Sequence, residues 1–275
     1  ILNWQDARVE EEARRILRGF DPQKLYEAIG WPFDWKTFPL AQLCYLKCHR
    51  PELLKQSSMI CMSTEYLYWR LCGKWGISPS AGTPFYLLDQ RSGQYYPALL
   101  DQLGIGEEKL PPVQKAGSCI GCVTQQGAAL SGLEPGTPLI LGTFDHPSAA
   151  RGAGVFEQEQ MLLSCGTSWV AFYPVENREK AIHCGMLVDP FRQPEGCWGA
   201  MASISSISPR IEMYIHRYVA KGEDKFQQLA CLAGESVPGA GGLKLNLLLD
   251  PQDEMVRGYS KKHIARAIME GAVGL

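Results

Sequence analysis

The stretch TPLILGTFDHPSAARGAGV, residues 137–155, is the strongest local constraint in the chain. Its apolar, β-branched start, bounded by proline and glycine, reads as a buried strand. The run ends on Asp145, followed by His146, a proline and small residues that let a helix pack closely. Open α/β sheets present ligand-binding side chains in this way, just outside the carboxyl ends of their strands. Local sequence leaves Asp145 two readings. An acid two residues before a proline is a good helix start, and its carboxylate would then cap free amides. Alternatively, it takes a proton from something bound in a cleft. His146 is either a hydrogen-bond donor to a polar ligand or an ordinary partly buried histidine. Gly152 and Gly154 lack the third glycine of a dinucleotide fingerprint, so a Rossmann reading is rejected.

Bulk properties narrow the classes. A chain of 275 residues exceeds a typical single core, so two domains, or one large one with insertions, are expected. With 45% hydrophobic and 20% charged residues the composition is globular. A formal charge of −2 and the lack of a long Lys/Arg block give no electrostatic reason to bind nucleic acid or an anionic membrane, so a small-molecule partner is expected. No apolar run reaches the roughly 18 to 20 residues that span a bilayer. The start, ILNWQDARVEEEARR, reads like the end of a strand before a charged helix and carries no export pattern, which points to the cytoplasm. Ten scattered cysteines suit reduced thiols. The C-x-x-C of Cys119 and Cys122 has no second pair at zinc-site spacing, so no metal site is expected there. These two cysteines read instead as half-buried residues flanking a loop glycine.

Along the chain, FPLAQLCYLKCHRPELL predicts a helix ending near His49 with Pro51 opening the next segment, and MSTEYLYWRLCGKWG a helix ended by Gly73 and Gly76. Residues 77–117 predict loops and short helices, with one helix in YYPALLDQLGI. QMLLSCGTSWVAFYP predicts a hairpin, and its turn at Gly166, Thr167 and Ser168 offers amides and hydroxyls suited to phosphate oxygens or simply to turning the chain. Further on, a long helix from about Ile211 to Leu232, a flexible GAGG connection, a strand in LKLNLLLD and a final helix opened by Ser260 are expected. The domain junction is placed near the acid and the hairpin, giving domains over 1–143 and 144–275.

Taken in order, these motifs resemble the FGGY family of carbohydrate kinases. NWQDAR is similar to the family's W-x-D-x-R, KTFPLAQLCYLKCHRPE to its helix ending in Pro-Glu, and MSTEYLYWRLCGKW to its Y-L-x-x-x-L-x-G helix. LPPVQKAGSCIGCVT, SGLEPGTPLILGTFDHPSAARGAGV and LLSCGTSWV follow in the family's order, and HIARAIMEGAVGL resembles its R-A-x-x-E-G helix. The resemblance implies an α/β, actin-like ATPase (ribonuclease H-like) fold of duplicated domains around a cleft. The first domain would bind sugar and the second ATP.

The resemblance also implies roles. Asp145 would be the general base of an ATP-dependent, Mg²⁺-assisted phosphorylation of a ketose, deoxy-ketose or polyol hydroxyl. Phe144, His146 and Thr37 would contact substrate, and Gly166, Thr167 and Ser168 would meet ATP phosphates. The family's D-x-G-T phosphate loop and its adenosine-binding glycine loop lie outside the motifs present. Both domains are therefore expected to be incomplete, with the Mg²⁺ ligands elsewhere. A catalytically silent sugar- or partner-binding relative is the alternative. A homodimer is compatible with the resemblance, and the particular sugar is not specified.

Overall fold

A computed structural model describes residues 7–33 and 38–274. It divides into two compact units, one formed by Ile1–Leu162 with Phe172–Ala202 and the other by Leu163–Ala171 with Ser203–Leu275. Among the described residues no helix is long and apolar enough to cross a membrane.

In the first unit, α1 (Glu10–Ile16) is followed by α2 (Pro22–Ile29), α3 (Pro39–His49) and α4 (Pro51–Gln56). The last three open on proline, whose missing N–H costs nothing in a first turn. Asp21 caps α2 by accepting from Gln23 N at 2.9 Å. Gly30 ends the helix at φ 84, and a Cβ there would also run into the Gln90 side chain at 2.0 Å. Helix α5 (Ser63–Cys72) stops at Gly73, as its sequence predicts. The next stretch holds only short elements: α6 (Pro79–Gly82), a small antiparallel pair β1 (Leu88–Asp89) and β2 (Gln94–Tyr95), and α7 (Pro97–Leu103).

The acid-bearing region then forms from β3 (Cys119–Cys122), α8 (Gln125–Ser131), β4 (Pro138–Ile140) and α9 (Asp145–Gly152). Two expectations are corrected here. The apolar run before Asp145 is not a buried strand: among the described residues β4 pairs antiparallel with β3 alone, Ile140 is 49% exposed, and burial begins at Leu141. A two-stranded ribbon has one face in solvent whatever its hydrophobicity. Cys119 and Cys122 lie on β3 and are exposed, rather than half-buried beside a loop.

The predicted hairpin forms from β5 (Leu162–Cys165) and β6 (Trp169–Val175). After α10 (Arg178–His183) come β7 (Leu187–Asp189) and β8 (Trp198–Ile204), completing a sheet in the order β5-β6-β8-β7. Strands β7 and β8 run antiparallel with Val188 opposite Ala200. Val170, Phe172 and Pro174 of β6 are buried at alternate positions, the period of a half-buried strand. Gly199 of β8 lies against Phe172, where a Cβ would sit 2.5 Å from the ring.

In the second unit, α11 (Ile207–Tyr218), α12 (Lys225–Gly234), α13 (Asp253–Val256) and α14 (Lys261–Val273) enclose a core that includes Ile211, Tyr214, Ile215, Leu229 and Ile268. The single long helix expected over Ile211–Leu232 is two helices, because the chain turns through Gly222 at φ 102. Among the described residues LKLNLLLD joins no strand. Leu243, Leu245 and Leu247 are buried while Lys244 and Asn246 are exposed, so the alternation packs an extended segment against helices instead of a sheet. The GAGG segment is a 3₁₀ turn at Ala240–Gly242 with Ala240 fully buried.

Two glycines give opposite predictions. Gly199→Ala should lower the free energy of unfolding by about 1–3 kcal/mol through overpacking against Phe172. Gly152→Ala, in a helix with open space around it, should be neutral or stabilising by about 0.5–1 kcal/mol. Urea denaturation of the two variants checks both signs.

Candidate active site

Asp145 is the first residue of α9, and Phe144 holds the N-cap position without a side-chain cap bond. The capping reading is therefore corrected in detail. A helix does start here, but the Asp145 carboxylate accepts from the adjacent His146 N at 2.8 Å and sits exposed on the first turn. A carboxylate in that place is favoured by the positive end of the helix dipole and stays available to a ligand.

The backbone that presents it is fixed by hydroxyls from elsewhere in the first unit. Tyr68 on α5 donates to Ile140 O at 3.0 Å and accepts from Gly142 N at 3.0 Å. Ser78 donates to Gly142 O at 2.7 Å and also caps α6 by accepting from Ala81 N. Ser80 accepts from Phe144 N at 3.1 Å and donates to Asp189 Oδ2 at 2.6 Å. Below this segment, Leu141 packs with Cys72 and Ile120.

Asp189 ends β7 and is completely buried. Burial pushes its carboxyl up to about 7, against the opposing pull of the Ser80 hydrogen bond and the Arg151 charge. Its Oδ1 finds no hydrogen-bond partner among the described residues. Arg151, on α9, donates to Thr143 Oγ1 at 3.0 Å, to Pro147 O and to Phe191 O, and lies 4.3 Å from the Phe191 ring centre. Burial lowers the guanidinium's affinity for its proton, and Asp189 partly restores it.

Phe144 packs edge-on against Trp31 at 5.2 Å and His146 at 5.8 Å. Trp31 also meets Phe38 and Tyr86 and donates its ring N–H to Val188 O at 3.1 Å. Tyr86 adopts φ 62, unusual for a bulky side chain, with its hydroxyl bonded to Pro32 O. Thr37 lies outside the described residues; its described neighbours Phe33 and Phe38 both pack on Tyr86. Phe144, Asp145 and His146 are thus brought together beside this aromatic cluster.

Gly166, Thr167 and Ser168 belong to the second unit. Ser208, on the first turn of α11, donates from its backbone N to Thr167 O and from its hydroxyl to Gly166 O at 2.6 Å. Ser168 Oγ accepts from Ser206 N at 3.2 Å. Thr167 is left exposed on a turn fixed to a helix N-terminus. Hydroxyls and amides at such a terminus suit phosphate oxygens. Among the described residues no three His, Cys, Asp or Glu side chains group as a metal site. A Mg²⁺ ion carried mainly by nucleotide phosphates does not require such a group. A depression of about 670 Å³, lined in part by Met59, Trp75 and Tyr95, contains none of the predicted site residues.

Sequence reasoning missed Ser80, Asp189 and Arg151. Asp189 was visible in GMLVDPF only as an acid before a proline, and Ser80 lies 109 residues away.

The model of the FGGY family of carbohydrate kinases, N-terminal domain, matches residues 1–152. The chain belongs to this family. The FGGY chain is 37% identical over 164 residues to the L-xylulose/3-keto-L-gulonate kinase of Escherichia coli K12, covering 59% of this chain and 33% of that protein. It is 32% identical over 163 residues to the autoinducer-2 kinase of the same strain, covering 59% of this chain and 30% of the relative. These matches thus span about a third of the curated relatives' length. Its fold is similar to xylulose kinase from Rhodospirillum rubrum, with TM-score 0.86, 21% identity, and 98% of this chain and 56% of that one covered. It is also similar to Plasmodium falciparum glycerol kinase with ADP, with TM-score 0.78, 16% identity, and 98% and 56% covered. The α/β, actin-like ATPase class expected from the sequence is the class found.

The buried Asp189 gives a pH prediction. Its folded carboxyl binds a proton up to about pH 7, whereas the unfolded chain releases it near the ordinary 3.8. Unfolding between these values releases a proton, so this residue makes the fold lose stability as pH rises through that window. The stability of the parent relative to Asp189→Asn should fall from pH 4.5 to 7.5 in urea titrations. A difference independent of pH would contradict the assignment.

Proposed function

We propose that the complete protein phosphorylates a hydroxyl of a ketose, deoxy-ketose or polyol, using ATP with Mg²⁺, and that Asp145 is the general base. The observation that carries the reading is the exposed carboxylate on the first turn of α9, presented by backbone that Tyr68, Ser78 and Ser80 fix in place. Family membership and the names of the relatives support a sugar as acceptor.

In the proposed reaction the Asp145 carboxylate accepts the proton of the acceptor hydroxyl while its oxygen attacks the γ-phosphorus and ADP leaves. Phosphoryl transfer leaves the protein little covalent work, so one placed base with hydrogen-bond donors around the phosphates is sufficient equipment. Phe144, His146 and Thr37 are assigned to the sugar. The aromatic packing around Phe144 supports the first two, since it holds their backbone against a rigid wall. Gly166, Thr167 and Ser168 are assigned to the ATP phosphates, supported by their fixation at the start of α11. On this reading residues 1–143 belong to a sugar-binding domain and 144–275 to an ATP-binding domain. Ten unpaired cysteines suit work in the reducing cytoplasm.

The test is ADP release by the complete protein with ATP, Mg²⁺ and a panel of ketoses, deoxy-ketoses and polyols that includes xylulose and glycerol. Asp145→Asn should lower kcat by about 10²- to 10⁴-fold, and Thr167→Val should chiefly raise KM for ATP. Sugar binding without turnover in the parent would move the reading to a silent relative.

A further inference from the structure

The Asp145 helix is held at both ends by one short turn. Upstream, Ser80 Oγ accepts from Phe144 N at 3.1 Å and donates to Asp189 Oδ2 at 2.6 Å. Downstream, Arg151 donates to Phe191 O and stacks on the Phe191 ring, while Phe191 N itself bonds Asp189 O at 2.8 Å. The end of β7 and the residues just after it therefore anchor, through Ser80 and Arg151, the peptide before the carboxylate and the last turn after it.

Ser80 and Asp189 are 1% and 0% exposed, so neither can borrow a partner from bulk water. A hydroxyl has one proton. Once Ser80 gives it to Asp189, only lone pairs remain to face the Phe144 amide, and the hydroxyl is locked as an acceptor. A wholly buried carboxyl with one oxygen unpartnered among the described residues is a costly way to stabilise a core. It is an effective way to fix the direction of a hydroxyl.

We propose that Ser80 and Asp189 are positioning residues for the phosphoryl transfer: the pair clamps the Phe144 amide and with it the backbone that aims Asp145. The inference rests on the reading of Asp145 as base. Neither residue touches substrate; they act through the peptide between Phe144 and Asp145.

The test compares the complete parent protein with Ser80→Ala, Ser80→Cys and Asp189→Asn. It measures amide exchange over residues 142–148, and kcat and KM with the best sugar of the panel. Ser80→Ala should speed exchange over 142–148 by about fivefold to tenfold, the loss of one buried hydrogen bond. It should also lower kcat about tenfold or more through misplacement of the base, with KM for ATP little changed. Ser80→Cys, nearly isosteric but a weak acceptor, should show the same direction if the alanine variant does not fold. Asp189→Asn retains an acceptor for the Ser80 hydroxyl and should show only a small part of either loss.

Parental exchange over 142–148 in both Ser80 variants would overturn the clamp. Faster exchange with parental kcat would overturn its catalytic role and leave a purely structural one. A parent that turns over no sugar, with exchange responding as expected, would instead overturn Asp145 as base and the catalytic role that depends on it.

Discussion

Beyond Leu141 the chain leaving β4 has to satisfy its backbone amides and carbonyls with no strand partner among the described residues, and the rest of the site depends on how it does so. The ribbon pairing ends at Leu141, whose N–H donates to Ser118 O at 2.9 Å and whose C=O accepts from Gly117 N at 2.8 Å, and an unpaired buried group costs about 1–3 kcal/mol. Tyr68, Ser78 and Ser80 supply them, each reaching the 140–144 segment from α5 or α6. The same bonds set the position at which α9 begins. A group whose backbone is held in this way needs little reorganisation to meet a ligand, and that is where much of an enzyme's advantage lies.

Fixing the segment concentrates polar groups beneath it. Ser80 needs an acceptor for its proton, and Asp189 provides one at the cost of a carboxyl pushed up to about 7 by burial. Arg151 offsets part of that cost while tying α9 to Phe191. On the other side, Trp31 meets Phe144 edge-on and is itself pinned to Val188, next to Asp189. The hydrogen-bonded and aromatic supports of Phe144 thus converge on neighbouring residues of β7.

Much of this was legible in the sequence where the signal is local. Prolines and glycines placed the ends of α3 and α5, and Gly166-Thr167-Ser168 announced its turn. The acid after an apolar run announced Asp145, although the run itself folds as a half-exposed ribbon strand. Alternation in LKLNLLLD predicts a strand because burial has the same period of two whether the partner is a sheet or a layer of helices. The break between α11 and α12 turned on Gly222, one glycine inside an otherwise helical pattern. Asp189 and Ser80 could not be paired by reading, since nothing local in GMLVDPF or SPSAGT says that the two side chains meet in the interior.

The most direct measurement of the central claim is a crystal structure of the complete protein with its sugar and a non-hydrolysable ATP analogue. The account predicts the acceptor hydroxyl within about 2.6–3.2 Å of an Asp145 carboxylate oxygen, with the Phe144 amide still bonded to Ser80. A sugar whose acceptor hydroxyl is held by another group, with Asp145 turned to solvent, would contradict it.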